Sequence, residues 1–341
     1  MKAVVYTQYG TPDVLKVQEV SQPTPLDNEV LVRVHATPVN FGDLMARNFK
    51  AVSPQAFFMP LPLWLMARFA FGFNQPRKHI LGNEFAGEIA AVGKTVTRFK
   101  VGEQVFGYRG QNMGANAEYL VMAEDGMLVS KPANMTYEEI CAVPYGALTA
   151  LSLLRKVNIQ PGQKVLINGA SGGIGSAALQ LAKYFGAEVT GVCSTPRMGL
   201  VKSLGADKVI DYTREDFTQN GETYDLIFDV MGKSSFARCK HSLTANGRYL
   251  LASFKMKQLL QMLWTSKFGS KKVICALSNE KPEDLVLVKE LVEAGKLKAL
   301  VDRCYPMEQA AEAHRYMEAG ARTGSVIISF APQFSPVRTL S

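Results

Sequence analysis

The chain has 341 residues, of which 47% are hydrophobic and 20% charged, with a net charge of +8 and a pI near 9.1. That length exceeds one ordinary core and predicts two domains, and the composition excludes a disordered or fibrous protein in favour of a soluble globular one. Five scattered cysteines (Cys141, Cys193, Cys239, Cys275 and Cys304) include no close pair, which argues against a disulfide framework and fits a reducing, cytoplasmic setting.

Met1-Lys2-Ala3-Val4-Val5-Tyr6 lacks the long apolar core of a secretory signal and reads as a first strand. A second alternating run, Glu29–Val34, follows. Pro38 to Arg47 then reads as a turn entering a short helix, with further strands at 87–92, 104–107 and 117–121. Residues 50–79 interrupt this β-rich region with a very apolar stretch broken by Pro60, Pro62 and Arg68, too short and broken for a membrane span. It reads as an insertion packed on the domain or at a subunit contact, an apolar lid over a substrate pocket, or a membrane-surface patch.

From about Ala142 strands and helices alternate. Strands are expected at 164–168, 187–192, 208–211, 224–229, 247–252 and 272–277, with helices at 173–185, 197–204 and 234–242. That rhythm predicts an α/β, doubly wound parallel sheet. Residues 255–272 are basic and amphipathic, and read as a solvated helix face rather than a membrane-docking one. A helix at 282–294, another near 307–319 and a strand at 325–329 are expected to return to the first domain, and the last ten residues to fray. No motif suggests nucleic acid as a partner.

The chemistry centres on residues 164–176. An apolar strand there runs into Gly169-Ala170-Ser171-Gly172-Gly173-Ile174-Gly175 and then an amphipathic helix. This is the context a dinucleotide needs: glycines admit close approach, and the helix N-terminus offers N–H groups and a positive dipole end to a pyrophosphate. The next strand ends Cys193-Ser194-Thr195-Pro196-Arg197, with no acid for the ribose hydroxyls of NAD. Ser194, Arg197 and Lys202, with Tyr212 after the third strand, favour the extra phosphate of NADPH, NADH being the weaker alternative. The mid-chain position of the glycine run, and the lack of a Tyr followed four residues later by Lys, oppose a short-chain dehydrogenase.

Several further landmarks stand in order: Asn40-Phe41-Gly42-Asp43 with Arg47, Leu81-Gly82-Asn83-Glu84-Phe85-Ala86-Gly87, Gly102 to Gly107, Gly114 to Tyr119, Gly146 to Ala150, Leu204-Gly205-Ala206-Asp207 and Ala313-His314. Over nearly the whole chain these resemble the medium-chain dehydrogenase/reductase superfamily. The resemblance implies a GroES-like β-rich catalytic domain over 1–127 with the 50–79 insertion, a Rossmann NADP-binding domain over 128–278, and a return segment over 279–341. Zinc members place a His after the glycine of the Gly82 motif, where this chain has Asn83, and use an early Cys, whereas no cysteine precedes Cys141. The resemblance therefore implies the zinc-independent, quinone oxidoreductase-like branch, with no metal site, a small lipophilic carbonyl or quinone substrate, and a homodimer joined near 272–277.

The same resemblance places Asn40 to position substrate or nicotinamide, and Asp43 to anchor its turn or assist a water. Tyr108 and Tyr145 are the phenols placed to donate a proton. Thr149 would lie beside the nicotinamide. Val230, Leu251, Ser253 and Leu277, at the ends of later strands, would join Ser171, Gly172, Gly173, Ile174 and Gly175 around the cofactor. The expected activity is NADPH-dependent reduction of quinones or α,β-unsaturated carbonyls by hydride transfer. The alternatives are a zinc-free carbonyl reductase or alcohol dehydrogenase, and a non-catalytic NADPH-binding scaffold.

Overall fold

The computed structural model describes residues 1–57, 59–320 and 322–330. The chain opens with β1 (Lys2–Val5), β2 (Lys16–Glu19), β3 (Glu29–Val39), α1 (Phe41–Arg47), α2 (Leu61–Phe71), β4 (Glu84–Val92), β5 (Gln104–Tyr108), β6 (Tyr119–Ala123), β7 (Leu128–Ser130) and α3 (Tyr137–Ile140). It continues through α4 (Pro144–Val157), β8 (Lys164–Asn168), α5 (Gly173–Tyr184), β9 (Glu188–Cys193), α6 (Met198–Ser203), β10 (Lys208–Asp211), β11 (Tyr224–Asp229), α7 (Phe236–Cys239), β12 (Leu243–Leu251), α8 (Met256–Lys267) and β13 (Lys272–Cys275). It closes with α9 (Pro282–Glu293), β14 (Val301–Pro306), α10 (Ala310–Ala319) and β15 (Ser325–Ser329). The fraying expected at the C-terminus lies outside the described residues.

Two compact units form. One holds residues 1–53, 66–145 and the chain from Lys281 onward; the other holds 54–65 and 146–280. The division at 145/146 differs from the boundary expected at 127/128, because β7 pairs with β5 and the Tyr137 ring of α3 stacks on His35 of β3 at 4.3 Å. Residues 54–65 leave the first unit because Met59 packs against the core of the second, and Lys255 Nζ donates to the Gln55 carbonyl at 2.6 Å.

In the first unit, β3 is central to a sheet ordered β14-β15-β3-β4-β5-β7, with β6 also pairing β3. Alternate residues Val30, Val32 and Val34 point into a core with Phe85, Ile89, Val105 and Leu120. The turn expected at Pro38 is instead strand. β15 arrives antiparallel, with Val326 opposite Val39 and Ile328 opposite Thr37, and holds β3 extended. The return segment is locked again at Arg47, which is buried and whose Nη1 lies 2.9 Å from His314 Nδ1 on α10. Its Nε donates to the Gly10 carbonyl at 3.1 Å and its Nη2 to Glu318. Two landmarks far apart in the chain thus meet in one buried cluster.

In the second unit, a fully parallel sheet is ordered β10-β9-β8-β11-β12-β13. Its strands are buried on both faces, which is why Leu226-Ile227-Phe228 reads as an unbroken apolar run. The order reverses between β8 and β11, the switch point at which such sheets bind ligands. At the far edge, the Val273 N–H donates to Thr265 Oγ1 at 3.0 Å and the Cys275 N–H to Met262 Sδ at 3.4 Å. Helix α8 thereby covers the strand through which a second copy was expected to pair.

Candidate active site

In the first unit the site is built where β3 passes into α1 and meets the start of β4. Asp43 is 1% exposed and ties these two segments together. Its Oδ2 accepts from the Asn40 N–H at 2.8 Å and its Oδ1 from the Gly82 N–H at 2.9 Å. With one backbone N–H held on each oxygen, Asp43 anchors the turn. Burial pushes its carboxyl up to about 6, against the pull of those two N–H groups.

The Asn40 side chain turns away from its own helix. Its Nδ2 donates to Asn83 Oδ1 at 2.9 Å and to Glu84 Oε2. An amide nitrogen carries two hydrogens, so these two bonds commit both of them. Glu84, 1% exposed, accepts the Tyr145 N–H on Oε1 at 2.6 Å. Burial raises its carboxyl to about 8, opposed by the bonds from Tyr145 and Asn40 and assisted by the charge of Asp43. Tyr108 stands opposite Glu84 across the β4–β5 ladder, and its ring lies 6.4 Å from that of Tyr145. Asn40, Asp43, Tyr108 and Tyr145 therefore gather in one place.

Sequence reasoning gave Glu84 no role. The available signal was a carboxylate heading the apolar strand run Phe85-Ala86-Gly87, where an unpaired charge would be costly.

In the second unit the strand ends are in register. Asn168 faces Val192 and Asp229, Asp229 faces Leu251, and Leu251 faces Cys275. The glycine loop leaves β8 here. Gly169 takes φ +92°, which a side chain would strain. A Cβ on Gly175 would sit 2.8 Å from the Gly169 carbonyl carbon and nearer still to its oxygen, so α5 can pack on the turn only without it. A Cβ on Gly173 would meet nothing within 4 Å, and no side chain caps α5. The front of the helix is open, with its first N–H groups uncapped by the protein, and this fits a dinucleotide's pyrophosphate.

The other cofactor candidates distribute along this edge. Ser171, Gly172 and Ile174 belong to the loop and first turn. Ser194 and Arg197 are half-buried after β9, and Tyr212 is exposed after β10. The acid beside this loop, Asp211, is buried and already accepts from the hydroxyls of Thr195 and Thr213, which hold its carboxyl below the usual range. Gly146 lies so close to the loop that a Cβ would fall 2.6 Å from the Gly173 carbonyl, and Thr149, one turn on, shares that face of α4. Val230 follows β11, its N–H donating to the Asn168 carbonyl at 3.2 Å. Ser253 is half-buried and Leu277 exposed. Leu251 differs: its side chain lies in the sheet core and its carbonyl accepts from the Ala276 N–H, so it packs rather than presents a group.

Asp229 organises this edge and was not anticipated as a site residue. It is fully buried, accepting from Asn168 Nδ2 at 3.1 Å, the Ser234 N–H at 2.9 Å and the Tyr249 hydroxyl at 2.8 Å. A charged residue closing the run Leu226-Ile227-Phe228 at a carboxyl strand end was the signal in the sequence.

A GroES-like sheet with an amide–carboxylate cluster, and a parallel sheet with a glycine cradle at its switch point, define a nicotinamide-dependent oxidoreductase class. The chain belongs to the medium-chain dehydrogenase/reductase superfamily, in its quinone oxidoreductase-like branch. The alcohol dehydrogenase GroES-like domain family matches residues 26–133, and the zinc-binding dehydrogenase family matches 204–328. Among similar proteins, a 2-methylene-furan-3-one reductase of Solanum lycopersicum is 30% identical, over 96% of this chain and 79% of the relative. A quinone oxidoreductase of Pseudomonas aeruginosa is also 30% identical, over 96% of this chain and 99% of its own. The solved quinone oxidoreductase of Coxiella burnetii superposes with a TM-score of 0.82 at 26% identity, covering 97% of this chain and 99% of its own.

Proposed function

We propose that the protein is an NADPH-dependent, zinc-independent reductase of quinones or α,β-unsaturated carbonyls. The observation that carries this reading is the donor set at the Gly82 turn. Where zinc members carry an imidazole ligand there is Asn83, bonded to the Asn40 amide, and Glu84 is bonded to Asn40 and to the backbone of Tyr145. Among the described residues no group of three His, Cys, Asp or Glu side chains could hold a metal. His35 stacks on Tyr137, and His79 lies against the Tyr6 carbonyl at 3.2 Å. Both are engaged apart from each other. The quinone and furanone reductases among its relatives support the same substrate class.

When bound, the reduced nicotinamide supplies a hydride. Electron-poor carbons of quinones and enones accept it without a Lewis acid, provided the oxygen that gains charge meets hydrogen-bond donors. Asn40 cannot serve there, because both its amide hydrogens are committed to Asn83 and Glu84, which it holds in position. Tyr108 and Tyr145 are the phenols of the cluster, and we assign them to that oxygen and to the proton it takes up. Ser194, Arg197 and Lys202 suit the additional phosphate of NADPH, with Asp211 already satisfied and turned from the task.

The test is a turnover panel following loss of cofactor absorbance. NADPH should be consumed with quinones or enones, with NADPH favoured over NADH by about tenfold or more, as a charge-assisted phosphate contact implies. Tight NADPH binding without turnover of any acceptor would instead indicate a scaffold.

A further inference from the structure

Helix α8 turns an apolar face outward. Leu259, Met262 and Thr265 point inward, toward the core and β13. On the other side Met256, Leu260 (61% exposed), Leu263, Trp264 (59% exposed) and Phe268 recur at helical spacing and lie open. Leu61 and Leu65, in the segment tied to this helix through the Lys255–Gln55 bond, are exposed as well. A patch of this composition on one element marks an interaction surface.

Charge identifies what it meets. Between Val230 and Asn279 the chain carries nine Lys and Arg and no Asp or Glu. Lys255, Lys257 and Lys267 are exposed at the two ends of the apolar stripe. A second copy docked on this face about a twofold axis would oppose like charge with like. An acidic protein would satisfy the lysines, but the combination of a central Trp and Phe, long aliphatic side chains and flanking lysines is that of a helix lying in a lipid interface.

We propose that α8 docks the protein on an anionic membrane surface. Leu260, Leu263, Trp264 and Phe268 enter the headgroup–acyl boundary, and Lys257 and Lys267 meet lipid phosphates. The interaction is independent of the catalytic reading.

The test uses the full chain and vesicles of phosphatidylcholine with or without phosphatidylserine. The chain should float with the anionic vesicles, not with the neutral ones, and be released by salt. The chain has two tryptophans, so the Trp64→Phe form reports Trp264 alone, and its emission should shift to the blue only with anionic vesicles. Leu260→Ser with Trp264→Ser, and separately Lys257→Glu with Lys267→Glu, should each weaken vesicle binding about tenfold or more. Lys94→Glu with Lys100→Glu, of equal charge change on the other unit, should weaken it far less. Protein left in the supernatant at low salt overturns the proposal. So does an α8 variant that alters particle mass in solution while vesicle binding is unchanged, which would show a second copy on this face.

Discussion

Glu84 illustrates how burial and bonding set the character of a single group. Its carboxyl is raised to about 8 from an ordinary 4.5, so the fold favours the neutral acid. The stability this group contributes is therefore full below about pH 4.5 and is lost as pH rises through about 8. Glu84→Gln removes the titration. Its melting temperature relative to the parent should become more favourable as pH climbs from 4.5 to 8, and kcat/KM should lose a break near 8. A break that persists unchanged in the variant would assign it to another group. Asp43, raised to about 6, acts with the same sign over a lower range. These values could not be read from the sequence. The spacing Asn40…Asp43 showed a turn, but not that both Asp43 oxygens would each hold a backbone N–H, nor that Asn40 would spend its donors on Asn83 and Glu84.

Among the elements, the β8–loop–α5 unit was the most legible, because its glycines, apolar strand and amphipathic helix are contiguous and each obeys a local rule. The strand Lys164–Asn168 and helix Gly173–Tyr184 lie where the pattern put them. The cradle's tolerance is correspondingly narrow. Gly175→Ala forces a Cβ against the Gly169 carbonyl and should cost about 1–3 kcal/mol of stability. It should also abolish the rise in melting temperature that NADPH confers on the parent. A variant that melts normally and retains the NADPH shift would show that α5 does not need this close approach. Elements whose state depends on remote partners were less legible. The extension of β3 to Val39 needs β15, nearly three hundred residues later. Helix α2 falls in the 50–79 stretch, where Pro60 and Pro62 suggest breakage and no helix is expected; Pro62 instead lies in its first turn, where a missing N–H is harmless. The outward face of α8 is apolar because its inward face is spent covering the edge of β13, a division that periodicity alone could not assign.

For the whole molecule, the order of landmarks identified the superfamily and both sheets. The division into units fell elsewhere than expected, because β7 and α3 follow the first sheet although the sequence rhythm changes near them. The central claim concerns where the hydride goes, and one experiment reads it directly. The protein, dialysed against a metal chelator, is incubated with NADPH deuterated at the transferable position and an open-chain enone, and the product is examined by NMR. A saturated ketone carrying deuterium at the β-carbon, formed at a rate the chelator does not change, is the predicted result. Deuterium on the carbinol carbon of an allylic alcohol, with activity lost on chelation and restored by zinc, would contradict it.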